Sequence, residues 1–438
     1  MKQKLIAAAI ICFFNSSNAM AVDLIGIYRD ALAQDPAFAS ARFENVAAQE
    51  RLPQAQALNK WSAGLAAGIN FADSQRSGLS SPSNTTPSYN LSLRQPLYNP
   101  VNDRNISQSE LSIKSADAKL ADARQDLMVR VSQAYFDVLL AQDNTALSAA
   151  QKQAFSEQLA QAKRNFEVGT STIVDTYEAQ ARYDLAVARE IADQNDLEIK
   201  RRALQSIIGK LPDNLSILQP DIKLTQPLPA NMEAWVKTAE DGNFTVAQLR
   251  TAFAIAAQEV EKQKLGDAPT VDASASVGGS YASKNALPPG AGRWGNSIGF
   301  GLNLNMPLYT GGGVQSRIRE SLANKDRTEQ DLERARRSAA QSARQSYLGV
   351  TNGIAQVAAL QAALTSNKAS LDSTLLGKEV GVRTNVDVLN AQQQLFQARR
   401  DLQAARYTTV MSQLRLKSAV GSLKEEDLAE VNRMLVAK

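Results

Sequence analysis

The chain has 438 residues, of which 44% are hydrophobic and 21% charged, and a formal net charge of +4. It holds no histidine and a single cysteine, Cys12, which removes the commonest general base, the commonest metal ligand and any disulfide within the chain. A charge this small gives no argument for a nucleic-acid partner, and no motif argues for an enzyme, a cofactor or a metal.

The N-terminus carries Lys2 and Lys4, an apolar run from Leu5 to Phe14, then Ala19-Met20-Ala21. That pattern predicts a signal peptide over residues 1–21, too short to span a bilayer. Cys12 follows Ile11 rather than a small residue, so lipidation is not expected.

Residues 22–210 read as a first repeat, mostly helical to about residue 60, with Asp35-Pro36 as an N-cap followed by a first-turn proline. The period then changes to two. Leu65, Ala67, Ile69 and Phe71 alternate with Ala66, Gly68, Asn70 and Ala72. After a polar loop from Ser74 to Ser88, Tyr89, Leu91 and Leu93 alternate with Asn90, Ser92 and Arg94. This predicts a β-hairpin over about residues 62–98 with one apolar face. From Val101 to Phe166 there is neither proline nor glycine, which predicts one helix of about 100 Å. A break at Val168-Gly169 precedes a returning helix from Thr172 to Gly209.

A linker over 211–231, with Pro212, Pro220, Pro227 and Pro229, leads to a second repeat over 232–421. It predicts a helix over 232–264, a hairpin over about 270–309, a long helix from Gln315 to about Lys378 containing Gly349 and Gly353, a break at Val380-Gly381 and a helix over 384–420. Residues 422–438 are expected to be a helical tail. Pro96-Leu97-Tyr98 is answered by Pro307-Leu308-Tyr309, Gly169 and Asp175 by Gly381 and Asp387, and Gly209 by Gly421. The common offset of about 210 residues indicates duplication of a half-molecule rather than a short solenoid repeat.

The strands have the length of tilted membrane strands. Their polar face is mostly Ser, Gly and Asn, which suits a watery lumen, and Trp61, Tyr98, Trp294 and Tyr309 sit near strand ends. A soluble sandwich is the plain alternative. In a bilayer, four strands alone would leave two unpaired edges, so several chains must close the barrel; the pattern does not choose between two and three. At the breaks, Thr172-x-x-Asp175 and Thr384-x-x-Asp387 have capping-box spacing, and on spacing alone capping is their first role.

Lys378–Leu389 reads KEVGVRTNVDVL, Leu414–Leu428 reads LRLKSAVGSLKEEDL, and the mature chain opens DLIGIYRDALAQDPAFASAR. With the paired strands ending in PLY, these segments make the chain resemble the TolC family of outer-membrane export channels, which includes those of type I secretion. The resemblance implies an α+β membrane protein. It would be a homotrimer whose twelve-stranded β-barrel, four strands per chain, is continuous with a long periplasmic α-helical tunnel and built from two tandem repeats. It implies a place in the cell outer membrane of a Gram-negative bacterium, extending into the periplasm, among outer-membrane lipid. Its partners would be a periplasmic adaptor (membrane fusion) protein and an inner-membrane transporter, with opening by untwisting of the hairpins. No cofactor, metal or nucleic acid is implied.

By the same resemblance, Asp387 would supply an acidic ring at the closed aperture. The family's second acidic ring falls at Asn390 here, which implies a weaker cation trap. Asp175 and Arg383 match the closed-state lock, and Lys378 replaces the family's tyrosine and would pair with Asp175 instead. Gly169, Thr172, Gly381 and Thr384 mark the tips offered to the adaptor. The competing reading is a secreted coiled-coil scaffold or a trimeric adhesin with a shared barrel. Adhesin strands lie together at the C-terminus, however, whereas these hairpins are about 200 residues apart.

Overall fold

The computed structural model describes residues 22–72, 84–212, 214–282 and 293–436; the expected leader lies outside them. The chain begins with α1 (Leu24–Gln34), α2 (Pro36–Gln49), α3 (Arg51–Ala57), β1 (Ser62–Ala72), β2 (Asn84–Tyr98), α4 (Pro100–Glu167) and α5 (Ile173–Ile208). It continues through β3 (Ile217–Leu218), α6 (Met232–Gly242), α7 (Phe244–Lys264), β4 (Thr270–Ala282), β5 (Arg293–Asn305), α8 (Gly313–Glu379) and α9 (Asn385–Ala419). It ends with α10 (Glu425–Asn432) and β6 (Leu435–Val436). Among the described residues no helix is long and apolar enough to cross a membrane.

Several bounds differ from expectation for identifiable reasons. β2 begins at Asn84, before Tyr89, because Thr85, Thr86 and Pro87 extend the ladder opposite Phe71, Asn70 and Ile69. β5 stops at Asn305 opposite Thr270, the first residue of β4, and Pro307 beyond it has no N–H to continue a ladder. The helix expected over 232–264 is two, because the Asn243 side chain accepts from the amides of Thr245 and Val246 and starts α7 afresh. The tail is helical only through α10. It then forms β6, which pairs with β3 of the proline-bearing linker through Leu218↔Leu435.

The described residues fall into two compact units, and α2, α4, α6 and α8 run through both. One unit comprises 40–123 and 240–340 and holds an antiparallel sheet in the order β1-β2-β4-β5. Its register aligns Leu65, Leu91, Val277 and Ile298 in one row, all exposed, and Gly64, Ser92, Ser276 and Gly299 in the next. Side chains alternate between faces along a strand, so this register separates an apolar face from a small polar one. Tyr89, Trp294 and Tyr281 form an aromatic group, the two tyrosine rings each 6.0 Å from that of Trp294.

The other unit comprises 22–39, 124–239 and 341–436. Its core gathers Leu24, Ile27 and Tyr28 of α1, Tyr135 and Phe136 of α4, Leu204 and Ile208 of α5, and Val410 and Leu414 of α9. Leu423, Leu428 and Val431 of the C-terminal segment close it. The Tyr135 hydroxyl donates to the Ser216 carbonyl at 2.7 Å, tying in the linker. Asp35 caps α2 through the amides of Ala37 and Phe38, and its buried carboxylate accepts from Arg130 at 2.6 Å. Gly353 marks a close approach of α8 to α9: a Cβ there would stand 2.5 Å from Thr409 Oγ1.

Candidate functional site at the hairpin tips

Each long helix turns into its returning helix through the same backbone. Gly169 and Gly381 take the left-handed conformation at φ 77° and 82°. The amide of Thr170 donates to the Asn165 carbonyl and that of Gly169 to Phe166. Likewise Val382 donates to Gly377 and Gly381 to Lys378. This is the Schellman closure, which needs a residue free to adopt positive φ. The returning helices start on capping boxes. Asp175 Oδ2 accepts from the Thr172 amide at 3.0 Å and hydroxyl at 2.8 Å, and Asp387 Oδ2 from those of Thr384, both at 2.9 Å. Hydrogen bonds from the Thr384 amide, then from its hydroxyl, hold the Asp387 carboxyl below its ordinary pKa.

The expected lock residues, Asp175 in the first turn and Lys378 and Arg383 some 200 residues on in the second, are not joined to one another by an ion pair among the described residues. Lys378 Nζ donates to Asn385 Oδ1 at 2.9 Å, Gln161 Oε1 at 3.0 Å and Gln158 Oε1 at 3.4 Å. Burial lowers its pKa, and the charge of Asp175 offsets part of that. Asp175 is engaged by Thr172, and no ion pair links the two side chains among the described residues. Arg383 is exposed; its amide closes the turn to the Gly377 carbonyl while its stem lies over Gly377.

Asn390 is not isolated. Its Oδ1 accepts from Arg182 of α5 at 3.2 Å, and Arg182 also donates to Gln393 Oε1. Arg182 was not singled out from the sequence. Its four-residue spacing from Glu178 signals an ion pair on one helix face, which forms at 3.0 Å. Nothing in the spacing signals its reach to a helix some 200 residues away.

Comparison with known proteins identifies the family. The family of outer membrane efflux proteins matches residues 27–210 and 235–422. The chain belongs to the outer membrane efflux protein family. It is 32% identical to the outer membrane protein TolC of Vibrio cholerae over 424 residues, covering 97% of this chain and 96% of that one. It is 30% identical to the alkaline protease secretion protein AprF of Pseudomonas aeruginosa over 422 residues, covering 94% and 87%. Among solved structures, the outer membrane protein VceC of Vibrio cholerae superposes with a TM-score of 0.76 at 20% identity, over 91% of this chain and 96% of that one. That likeness concerns the fold. Membership in an efflux family over almost the whole chain does not favour the scaffold or adhesin reading.

Proposed function

We propose that the protein is the outer-membrane duct of a tripartite export system, passive in itself, serving efflux or type I secretion in a Gram-negative bacterium. The observation that carries this reading is the four-stranded sheet. One face is an exposed apolar row, the other is mostly Gly, Ser and Asn, and among the described residues the outer strands β1 and β5 each have one partner. In hydrocarbon, open edges would leave backbone groups unsatisfied. Closure by further copies removes them, and a homotrimer gives twelve strands around a polar lumen with lipid against the apolar face.

The helices α4 and α8, 68 and 67 residues long, then serve as staves of a periplasmic tunnel. The tips, at Gly169, Thr172, Gly381 and Thr384, meet a periplasmic adaptor protein coupled to an inner-membrane transporter. Asp387 of each copy rings the closed aperture. Asn390 one turn on leaves that ring without a second acid, so cations are held less strongly. Asp175, Lys378 and Arg383 lock neighbouring copies. Exposed pairs of this kind are worth about 0–1 kcal/mol each, so the lock relies on repetition around the axis.

Single-channel conductance of the purified protein in planar bilayers tests this. The expected result is small, cation-preferring steps that enlarge in Arg383→Ser and in Asp175→Ala. Unchanged steps in both variants would remove the lock assignment. No conductance from any of them, with insertion confirmed, would remove the channel reading.

A further inference from the structure

Above the tips, α5 and α9 are tied together by two arginine-centred contacts. In the first, Arg182 of α5 pairs with Glu178 on its own helix and reaches across to Asn390 and Gln393 of α9. Its side chain retains 25% of its exposure, so this contact sits at the rim of the seam. The second lies eleven residues further along α5, about 16 Å up the helix. There Arg400 of α9 reaches Asp193 Oδ2 at 3.3 Å, while Arg189 of α5 holds Oδ1 at 3.0 Å. The Asp193 side chain is only 8% exposed, and one carboxylate serves two guanidinium groups.

The apolar seam beside these contacts is thin. The cluster near the tips consists of Phe155, Leu159 and Ala162 of α4, Ala179 and Ala186 of α5, and Leu389, with Tyr183 of α5 partly buried against it. Only Leu389 comes from the second hairpin. Alanine methyl groups bury little area, so near the tips, away from the larger core that Val410 and Leu414 of α9 join, the polar contacts carry much of the attachment between hairpins. The two contacts differ in how readily they release. A rim guanidinium exchanges its partners for water at small cost, whereas a buried carboxylate between two cations resists separation.

We propose that Arg182 and the Asp193–Arg400 pair are two latches between the hairpins of one chain, a weak outer one and a stronger inner one, which together set how readily the tunnel opens. This rests on the channel reading, in which opening moves the hairpins apart. It is distinct from the lock of Asp175, Lys378 and Arg383, which acts at the turns themselves. The outer latch also brings together the corresponding places of the two hairpins: the Asn390 carboxamide accepts from Arg182, and the Glu178 carboxylate pairs with the same arginine.

The test uses the full chain in planar bilayers. Arg182→Lys keeps the charge and loses the forked donors. It is expected to raise the open fraction roughly threefold, as for an exposed pair. Asp193→Asn leaves Arg189 and Arg400 facing an uncharged group and is expected to raise it roughly tenfold or more. A second measurement does not depend on stability. Arg182→Cys combined with Asn390→Cys is bridged with a cleavable bifunctional thiol reagent in the Asp193→Asn background; the only native cysteine, Cys12, lies in the expected leader. Bridging is expected to return the channel to its closed level, and cleavage to release it. Wild-type open fractions in Arg182→Lys and Asp193→Asn, beside a conducting parent, would overturn the latches alone, as would free opening of the bridged protein. A parent that inserts without conducting would overturn the channel reading itself.

Discussion

The α4–α5 and α8–α9 turns share the spacing Gly-x-x-Thr-x-x-Asp and fold it alike, with the glycine in the left-handed region and a reciprocal Thr–Asp cap. Between those fixed positions they diverge. Three residues before the glycine stands Phe166 in the first turn and Lys378 in the second; two residues after it stand Ser171 and Arg383. Three residues past the capping aspartate stand Glu178 and Asn390. At these three positions the second turn therefore has two cations and lacks one carboxylate relative to the first. The motif dictates a backbone that any two helices can use, and the chemistry resides in the residues it leaves free. A structural motif found twice is thus evidence for equal geometry and not for equal roles.

That distinction can be tested from the helices down to the caps. The largest difference is expected well above the turns. Ala141 of α4 and Gly353 of α8 stand at the same distance before their turns, yet Ala141 is accommodated in its packing while a Cβ at Gly353 would strike the nearly buried Thr409. Gly353→Ala is expected to cost about 1–3 kcal/mol in chemical unfolding. An unchanged midpoint would mean that the α8–α9 approach is looser than this geometry. At the turns, Gly169→Ala and Gly381→Ala meet no neighbouring atoms and are charged only for positive φ. Each is expected to lower the local opening free energy by about 1–2 kcal/mol, read by hydrogen exchange of the turn amides. Clearly unequal effects would show that the backbones are not equivalent after all. Thr172→Ala and Thr384→Ala should each cost about 1 kcal/mol by the same measurement.

How much of this was legible beforehand follows from range. Gly169, Thr172 and Asp175 act within one turn of chain, and so do Gly381, Thr384 and Asp387, so spacing sufficed to place their backbone hydrogen bonds. The strand faces followed from period-two alternation, and the α4 and α8 spans from the near-absence of glycine and proline. What spacing could not show is contact between elements distant in sequence. Arg182 with Asn390, Asp193 with Arg400, and β3 with β6 each join segments about 200 residues apart. The β5 end at Asn305 is of the same kind: the alternation runs on to Met306, but the ladder ends where β4 has no further partner.

The smallest effect is the pH response of the second turn. The Thr384 amide and hydroxyl stabilise the ionised Asp387, so its pKa in the folded chain lies below its unfolded value. A depressed carboxylate contributes stability that is fully present above the unfolded pKa and is lost as pH falls through the folded one. Protection of the Asp387 turn amides, corrected for intrinsic exchange, should therefore hold from neutral pH into the ordinary carboxylate range and fall only below it. Thr384→Ala removes the hydroxyl and should move that loss to higher pH. For the proposed aperture the two changes have different consequences. A proton on Asp387 would remove both the cap and the charge of the proposed ring, whereas Thr384→Ala would weaken the cap and keep the charge. Cation preference that falls with acid in the parent, and persists at neutral pH in Thr384→Ala, would separate the carboxylate's role in the ring from its role in the turn. Cation preference lost in both cases would reduce Asp387 to a helix cap.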